Sequence, residues 1–404
     1  MEQKQNLFKR IYDNWGGGVS FFFCFIHFSH DLSTGLLLAL LPFIKAELNL
    51  NYFQSGLLVS AFAIMSGFSQ ILGGWLGDKI KRWIMVAIGL AGIGLTSIGI
   101  GLTSSFVLLL IVLFIMGIFA GAYHPSAVPA LSSFFEDKRG KALGLHMIGG
   151  SIGFGLGPFL GTAIATAFDW HMAFIIMAIP SLAASASVFL WLKNQGPLAR
   201  ETRRARTDKT SAAGEKRASL GHTLKSLALI MGLLVATVFT SGSLLAFIPL
   251  YMVDYFDFTE NSAAIWLGII RAVGIAGSLL GGWLADRWGV KKTVLLTIAG
   301  TGPVMVMFAY LPWGVGMAAA LLLLGMLMPM RETAAQTYIM GKTPLHLQGM
   351  VFGVYFGIGM QGQSLLQPAY GSIMDAVGMP IVFQVIALIS VAVSILSLAV
   401  SKKL

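Results

Sequence analysis

Long apolar runs follow one another along this sequence and leave few ways for the chain to fold. Hydrophobic residues make up 56% of the 404 residues and charged residues only 11%, whereas soluble domains usually carry about 25% charged residues. Runs of 18 or more apolar residues predict membrane-spanning helices. The predicted spans, numbered 1 to 12 in chain order, are 19–44, 54–76, 83–103, 105–131, 141–166, 170–192, 223–251, 262–284, 292–311, 314–340, 348–373 and 379–400. The expected fold class is therefore an all-α membrane protein.

The first run resembles a secretory signal because Lys9 and Arg10 precede it. It is longer than the apolar core of a signal, it lacks a small-residue cleavage site, and Asp31 lies near its middle. We therefore expect it to remain as the first helix. The single cysteine, Cys24, lies in this helix, so the chain cannot form an internal disulfide.

Positive charges are unevenly distributed between the predicted spans. If the N-terminus is cytoplasmic, all but three of the 27 Lys and Arg residues fall in cytoplasmic segments. Lys45 falls outside, and Arg271 and Arg331 fall within spans. This is the positive-inside pattern of membrane proteins. It predicts both termini in the cytoplasm, and it explains the net charge of +10 without a nucleic-acid partner. Acids occur in the predicted external segments, at Glu47, Asp169, Asp254, Asp257, Glu260 and Asp375.

One long polar stretch, residues 194–221, divides the spans into six and six. Its composition is typical of a solvated linker, and its basic residues could also contact anionic lipid. The predicted organisation is an N-terminal half at 1–193, the cytoplasmic linker at 194–221, and a C-terminal half at 222–404.

The two halves carry matching sequence. The stretch GGWLGDKIKRW (73–83) returns as GGWLADRWGVKK (281–292), with Asp78 and Asp286 at a spacing of 208. Three more landmark pairs keep spacings of 207 to 210, namely Pro42 with Pro249, RGKALGL (139–145) with QGMVFGV (348–354), and Pro158 with Pro368. We therefore expect the chain to consist of two homologous six-helix halves. Parallel repeats of this kind are one architecture of secondary transporters, with substrate bound near the midplane.

These motifs resemble those of the major facilitator superfamily, and the resemblance covers essentially the whole chain. It rests on the loops after spans 2 and 8, and within the superfamily the chain is similar to the fosmidomycin-resistance protein group. The residues that carry the second likeness are FSHD (28–31), YHP (123–125), RGKALGLHMIGGSIGFGLGP (139–158) and GMVFGVYFGIG (349–359). The resemblance implies two six-helix bundles and transport by alternating access rather than enzymatic activity. Two departures are Lys81, in place of a second loop glycine, and Ser126, in place of an acid.

The repeated loops are candidates for a latch on the cytoplasmic side. Their glycines allow two helices to approach closely, and an aspartate just past a helix can bind a neighbouring helix N-terminus or a cation. By resemblance, the latch stabilises the outward-facing state. The alternative is a loop that only sets topology. The latch residues are Gly74, Asp78, Lys79, Gly282, Asp286 and Arg287.

Span 5 contains a glycine face. Gly153, Gly157 and Gly161 recur every four residues and lie on one side of the helix, and Pro158 can kink it. Ordinary helix packing in membranes would also favour such residues. In the superfamily this pattern in span 5 is associated with proton-driven exporters, and the second half of the chain lacks it.

Ionisable residues inside a membrane are costly and are therefore functional candidates. His27 lies one turn before Asp31 in span 1, and His30 is adjacent to it. An aspartate–histidine pair in a low-dielectric site can bind and release a proton near working pH. We therefore expect these residues to couple transport to protons, together with Glu332 in span 10. A purely structural Asp and His are the alternative.

Polar and charged side chains in other spans predict a substrate site. Two deep arginines, Arg271 and Arg331, indicate capture of an anionic group, because guanidinium binds carboxylate and phosphate bidentately. Alternatively, one of them pairs with Glu332 or Asp31. The remaining candidates for substrate binding are Tyr123, His124, Gln361 and Gln363.

Other chemistries lack a sequence signature. No phosphate-binding Gly-x4-Gly-Lys-Ser/Thr loop is present, and the histidines and cysteine show no zinc spacing, so we expect no metal and no cofactor. The prediction is a monomeric proton-coupled exporter of a small, anionic organic compound in a bacterial plasma membrane. Its partners are the substrate, protons and the bilayer. The alternatives are a proton-coupled importer of an organic anion and, from another class, a membrane sensor or enzyme.

Overall fold

Every regular element in the described part of the protein is helical. The computed structural model describes residues 17–77, 80–135, 139–191, 220–343, 351, 355 and 362–401. Eleven helical segments among them are long and apolar enough to cross a membrane. The remaining predicted run, span 11 (348–373), is described only in part. The prediction of an all-α, multi-pass membrane protein is therefore confirmed.

Spans 1 to 6 follow the apolar runs closely. Span 1 consists of two helices, Gly17–Thr34 and Leu36–Leu48. Spans 2 to 6 are the helices Tyr52–Gly77, Arg82–Gly101, Phe106–Ser132, Arg139–Ala167 and Trp170–Trp191. Their ends agree with the predicted ends to within a few residues, because the apolar runs are set by the thickness of the bilayer.

Spans 7 and 11 are not regular α-helices. Span 7 consists of a helix at Leu220–Thr237, a π turn at Val238–Gly242, a 3₁₀ turn at Leu245–Phe247 and a helix at Ile248–Phe256. The described end of span 11 is a 3₁₀ turn at Gly362–Leu366 followed by a helix at Gln367–Val377. Spans 8, 9, 10 and 12 are Glu260–Trp288, Val290–Tyr310, Val315–Lys342 and Met379–Ser401.

The described residues form two compact units. The first unit contains residues 17–37 and 65–191, and the second contains residues 38–64 and 220–401. Residues 38–64, from the end of span 1 and the start of span 2, therefore pack with the second half of the sequence. The division of the sequence into halves at the linker stays a prediction, and most of the linker lies outside the described residues.

Close helix packing in the first unit brings span 5 onto span 1. Gly149 and Gly153 lie against the backbone of Cys24 and Phe28, where a side chain would overlap backbone atoms. Gly157 continues the same contact one turn later, against Leu32. Small residues allow helix backbones to approach in this way. The glycine face of span 5 therefore fixes the position of span 1, which carries the predicted proton-coupling residues.

Polar contacts in the second unit hold the start of span 2. Asp375 accepts hydrogen bonds from the backbone N–H groups of Tyr52 and Phe53, at 2.9 Å each. Lys45 forms a 3.1 Å salt bridge with Asp254, and the Tyr52 hydroxyl donates to the same carboxylate at 2.8 Å. Lys45 is the one cation predicted to lie outside. It lies in the last turn of the helix Leu36–Leu48 and is bound to one of the predicted external acids.

Candidate functional site

A cluster of four histidines, one aspartate and one tyrosine lies inside the first unit. Span 1 carries His27, His30 and Asp31, span 4 carries Tyr123 and His124, and span 5 carries His146. His27, His30, Tyr123 and His146 are buried, and Asp31 and His124 are half-buried. The structure therefore brings together five residues predicted to act in proton coupling or substrate binding. His146 is an additional member.

Asp31 lies between two histidines. Its Oδ1 is 2.6 Å from His30 Nδ1, and its Oδ2 is 3.3 Å from His27 Nε2. The far side of each ring meets a backbone carbonyl, since His27 Nδ1 is 2.8 Å from the oxygen of His146 and His30 Nε2 is 3.2 Å from that of Ala120. The spacing of four residues predicts the contact with His27. The contact with His30 requires the Asp31 side chain to turn between the two rings.

These partners determine where protons can sit. A carbonyl oxygen only accepts hydrogen bonds, so we assign a proton to His27 Nδ1 and one to His30 Nε2. The other nitrogen of each ring then faces a carboxylate oxygen of Asp31. Each of these contacts is attractive only with a further proton in it, because a bare ring nitrogen and a carboxylate repel each other. The three side chains therefore form a site for up to two shared protons.

Ring stacking keeps the cluster in place. The His146 ring stacks on His27 with centroids 4.1 Å apart, and the His30 ring stacks on Tyr123 at 4.5 Å. His124 meets both span 1 histidines edge-on, at 5.2 Å from His27 and 4.9 Å from His30. His146 also hydrogen-bonds the carbonyl oxygen of Phe23 at 3.0 Å through its Nδ1. Span 1 side chains are thus held from two neighbouring spans.

His146 is not among the residues predicted from the sequence, although the sequence contains a signal for it. His146 lies four residues before Gly150 and seven before Gly153, so it belongs to the glycine face of span 5. A polar residue on a face that is otherwise glycine marks the place where the helix meets polar groups of its neighbour. The stacking of His146 on His27 therefore results from the packing of span 5 on span 1.

Span 5 touches the cluster directly. A methyl group at Gly150 would lie 2.5 Å from His27 Cε1 and 2.6 Å from Asp31 Oδ2. In the predicted motif, Gly153 and Gly157 pack on span 1, whereas Pro158 and Gly161 are buried further along the helix. The motif is therefore a contact surface for the segment of span 1 that carries Asp31.

The same cluster includes groups that could hold a metal ion. His27, Asp31 and His124 each offer one ligand atom, and these atoms lie within 4.8 Å of one another. Two imidazoles and a carboxylate suit divalent transition metals. The three residues come from two spans, so no spacing in the sequence indicates them.

The two predicted substrate-binding arginines lie in the second unit, and Arg331 is more deeply buried than Asp31. Arg331 is only 3% exposed, and its Nη1 is 3.4 Å from the Thr301 hydroxyl on span 9. Glu332 is half-buried and accepts a 3.0 Å hydrogen bond from Gln336. Arg331 and Glu332 thus have different hydrogen-bond partners although they are adjacent in sequence. Arg271 is half-buried on span 8.

The predicted latch is described only in its second copy. Asp286 and Arg287 are exposed at the end of span 8, and the Arg287 guanidinium lies 5.2 Å from the Trp283 ring centroid. The close approach to span 10 is made by Gly281, against the backbone of Met330, whereas the nearest atom to a methyl at Gly282 is 4.0 Å away. In the first copy, Gly74 lies within the helix Tyr52–Gly77, and Asp78 and Lys79 lie outside the described residues. Gln361, a predicted substrate-binding residue of span 11, also lies outside them.

Known proteins match this chain along most of its length. The family model of the Major Facilitator Superfamily matches residues 23–366. The fosmidomycin resistance protein of Escherichia coli is 22% identical over 368 residues, covering 89% of this chain and 87% of that protein. The cis,cis-muconate transport protein of Acinetobacter baylyi is 22% identical over 362 residues, covering 87% and 86%. The crystal structure of the nucleoside transporter NupG shares the fold, with a TM-score of 0.72 at 16% identity, covering 95% of this chain and 98% of that one.

Proposed function

The chain belongs to the Major Facilitator Superfamily, and we propose that it exports a small organic anion in exchange for protons. The family and the relatives are transporters, so the prediction of a transporter rather than an enzyme is confirmed. The protein moves a small-molecule substrate across a membrane. The direction, the proton coupling and the anionic substrate are the proposal.

The observation that carries proton coupling is the position of Asp31 between two histidines. His27 and His30 each use one ring nitrogen on a backbone carbonyl and direct the other at the Asp31 carboxylate, at 3.3 and 2.6 Å. In this proposal, Asp31 with His30 holds one proton, and His27 takes up a second. Loss of the protons makes the contacts repulsive, so span 1 would shift against spans 4 and 5. Glu332, which is half-buried in span 10, is the candidate for a further proton.

Export is supported by the glycine face of span 5. The pattern of Gly153, Gly157, Pro158 and Gly161 is associated with proton-driven exporters in the superfamily, and this face packs on the span that carries Asp31. One relative is named for resistance to fosmidomycin, a phosphonate drug, which fits export of an anionic compound. We place the protein in a bacterial plasma membrane as a monomer with both termini in the cytoplasm.

An anionic substrate is supported by the cations within spans 8 and 10. A buried guanidinium such as that of Arg331 is stabilised by an anion that pairs with it bidentately. Arg271 is the second candidate for this role. Neutral hydrogen bonds from Tyr123, His124, Gln361 and Gln363 would complete substrate binding. The loops at Gly74, Asp78 and Lys79 and at Gly282, Asp286 and Arg287 would latch the cytoplasmic side during alternating access.

Import of an organic anion with protons is the alternative. The arginines would bind an anion equally well in either direction, so they do not favour export. One relative is named as a cis,cis-muconate transport protein, and muconate is an organic anion, which supports an anionic substrate in either direction. Only a transport measurement in vesicles that hold the protein in a known orientation distinguishes export from import.

The proposal can be tested in proteoliposomes that contain a pH-sensitive dye. Candidate anions, beginning with fosmidomycin and simple organic acids, are added without an imposed gradient, after chelator treatment to remove metal ions. Proton movement opposite to the substrate is expected. Movement in the same direction would make the protein an importer, and substrate movement without protons would reject proton coupling.

The variant Asp31→Asn tests the role of the cluster. We expect it to abolish proton movement while the protein still folds, because an amide cannot take up the shared proton. Asp169→Asn is a matched control, since Asp169 accepts a hydrogen bond from the backbone N–H of Met172 at the start of span 6, and asparagine serves equally well there. Unchanged coupling in Asp31→Asn would remove Asp31 from the mechanism.

A further inference from the structure

Two interrupted helices meet in the second unit. The π turn of span 7, Val238–Gly242, lies next to the 3₁₀ turn of span 11, Gly362–Leu366. The Ser243 hydroxyl donates to the carbonyl oxygen of Gln363 at 3.1 Å, and the Tyr370 hydroxyl donates to that of Phe239 at 3.0 Å. We call this region, formed by residues 238–247 and 362–367, the helix break.

The backbone at the helix break finds hydrogen-bond partners within the protein. Departures from α-geometry release carbonyl groups, and inside a membrane these groups need donors. The carbonyls of Phe239, Gln363 and Ser364 each receive one from a hydroxyl, the last from Ser60 in span 2. These three backbone carbonyl groups therefore have donors within the protein.

Two side-chain amides at the helix break, unlike these backbone carbonyls, have oxygens without a donor in the described part of the chain. Gln363 and Gln367 each have a buried amide oxygen that meets no donor among the described residues. Gln367 is only 5% exposed, and Gln363 lies so close to Gly242 that a methyl group there would overlap its amide oxygen. Leaving such a group unpaired costs about 1–3 kcal/mol. An unpaired buried amide oxygen in a native protein therefore calls for a physical explanation.

A bound ligand is the reason that fits best. Interrupted spans in transporters mark binding sites, because their irregular backbone lines the place where substrate sits. The polar side chains at the helix break are serine, threonine and glutamine, all uncharged, so they suit a neutral polar group of the ligand. A hydroxyl group both donates and accepts, and it therefore pairs with a glutamine amide in either of its two orientations.

We propose that the helix break binds a hydroxyl group of the substrate, so that the transported compound is a hydroxylated organic acid. The acid part of this inference rests on the proposed function, in which an arginine binds the anionic group. The hydroxyl part rests on Gln363 and Gln367 alone. The two parts can therefore fail separately.

A set of matched ligands tests the hydroxyl group. Succinate, L-malate and L-aspartate share one four-carbon diacid skeleton and differ in carrying a hydrogen, a hydroxyl or an ammonium group at one carbon. Acetate and glycolate form a smaller pair with the same difference. Binding to the purified, full-length protein in lipid nanodiscs is measured by calorimetry. The hydroxylated member of each pair should bind about tenfold more tightly, the gain expected from about one well-made hydrogen bond.

Variants identify the groups responsible for the preference. Gln363→Leu and Gln367→Leu should each reduce the affinity for malate to that for succinate and leave succinate binding unchanged. Gln54→Leu, at a glutamine that bonds Asn51 outside the helix break, should keep the preference. The melting temperature without ligand should stay equal or rise in the two break variants, because leucine removes a buried amide oxygen that meets no donor in the described part of the chain. A clear fall would show that the amides support the fold and would overturn the proposal.

The remaining outcomes separate this inference from the proposed function. Equal affinities for malate and succinate, or a preference that survives in both leucine variants, would overturn the hydroxyl site and leave anion transport standing. Tighter binding of aspartate than of malate would replace the hydroxyl by an ammonium and reject the proposal as stated. Binding of neutral erythritol without any of the acids would support the hydroxyl site and reject the anionic substrate. Binding of none of these compounds would reject both.

Discussion

A methyl group on Gly150 would lie 2.6 Å from the carboxylate oxygen Oδ2 of Asp31, well inside contact distance. Alanine at this position must therefore displace Asp31 or His27, and such overpacking typically costs 1–3 kcal/mol. We predict that Gly150→Ala lowers the initial rate of proton-coupled transport by about tenfold or more, since about 1.4 kcal/mol corresponds to a factor of ten. The rate is measured in proteoliposomes with the dye assay.

Gly155→Ala is the control for this variant. Gly155 lies in the same helix, but a methyl group there would meet no atom within 4 Å. Both substitutions improve helix propensity by a similar amount, so only contact with the cluster distinguishes them. Equal transport rates in the two variants would show that the close approach of span 5 has no functional role.

The second prediction concerns the glycine pair at the end of span 8. A methyl group at Gly281 would lie 2.5 Å from the carbonyl oxygen of Met330, whereas at Gly282 the nearest atom is Thr333 Cγ2 at 4.0 Å. Gly281→Ala should therefore lower the melting temperature by several degrees, and Gly282→Ala should not. The measurement is a thermal unfolding scan of each purified variant.

This pair of variants also separates packing from latching. If Gly282→Ala folds as well as the parent but transports more slowly, the glycine of the loop motif acts in the conformational cycle. If it is indistinguishable from the parent in both assays, the motif needs only Gly281 and the charged residues at this end of span 8.

Asp375 provides a test of the helix cap at span 2. Its two carboxylate oxygens accept from the backbone N–H groups of Tyr52 and Phe53, and loss of a helix cap typically costs about 0.5–2 kcal/mol. We predict that Asp375→Ala lowers the melting temperature and that Asp375→Asn, which retains one acceptor oxygen, falls between it and the parent. The scan is read from intrinsic tryptophan fluorescence. A melting temperature that does not change in Asp375→Ala would mean that water replaces the carboxylate without loss.

The sequence predicts those features that depend on local patterns. The spans follow from apolar runs, and the contact of His27 with Asp31 follows from a spacing of four residues. The placement of His146 and Tyr123 against these residues depends on which faces of spans 4 and 5 meet span 1, and one sequence does not determine that. His146 could have been predicted to face span 1, because it lies on the glycine face of span 5.

The helix break depends on contacts between residues that are far apart in the sequence. Its span 7 part, Val238–Gly242, contains no proline, and its residues suit an ordinary membrane helix. The π turn and the residue after it, Ser243, bond to partners more than a hundred positions away, namely Tyr370 and Gln363. The sequence shows Gln363 as a polar residue in a span. Only the structure shows that its amide oxygen meets no donor among the described residues, while its backbone carbonyl accepts a bond from Ser243.

The salt bridge between Lys45 and Asp254 allows a charge exchange to test the role of the predicted external side. The two charged atoms are 3.1 Å apart, and both side chains are partly exposed, so removing the pair should change stability by no more than about 1 kcal/mol. Lys45→Asp is more severe, because it places two carboxylates together. We predict that Lys45→Asp and Asp254→Lys each impair transport and that the double exchange restores at least half of the parental rate. If both single variants transport normally, the pair is a surface contact without influence on the cycle. If the double exchange is as impaired as the single variants, two other contacts matter more than the salt bridge. They are the Lys45 ammonium over the Tyr52 ring, 5.0 Å from its centroid, and the Tyr52 hydroxyl bond to Asp254.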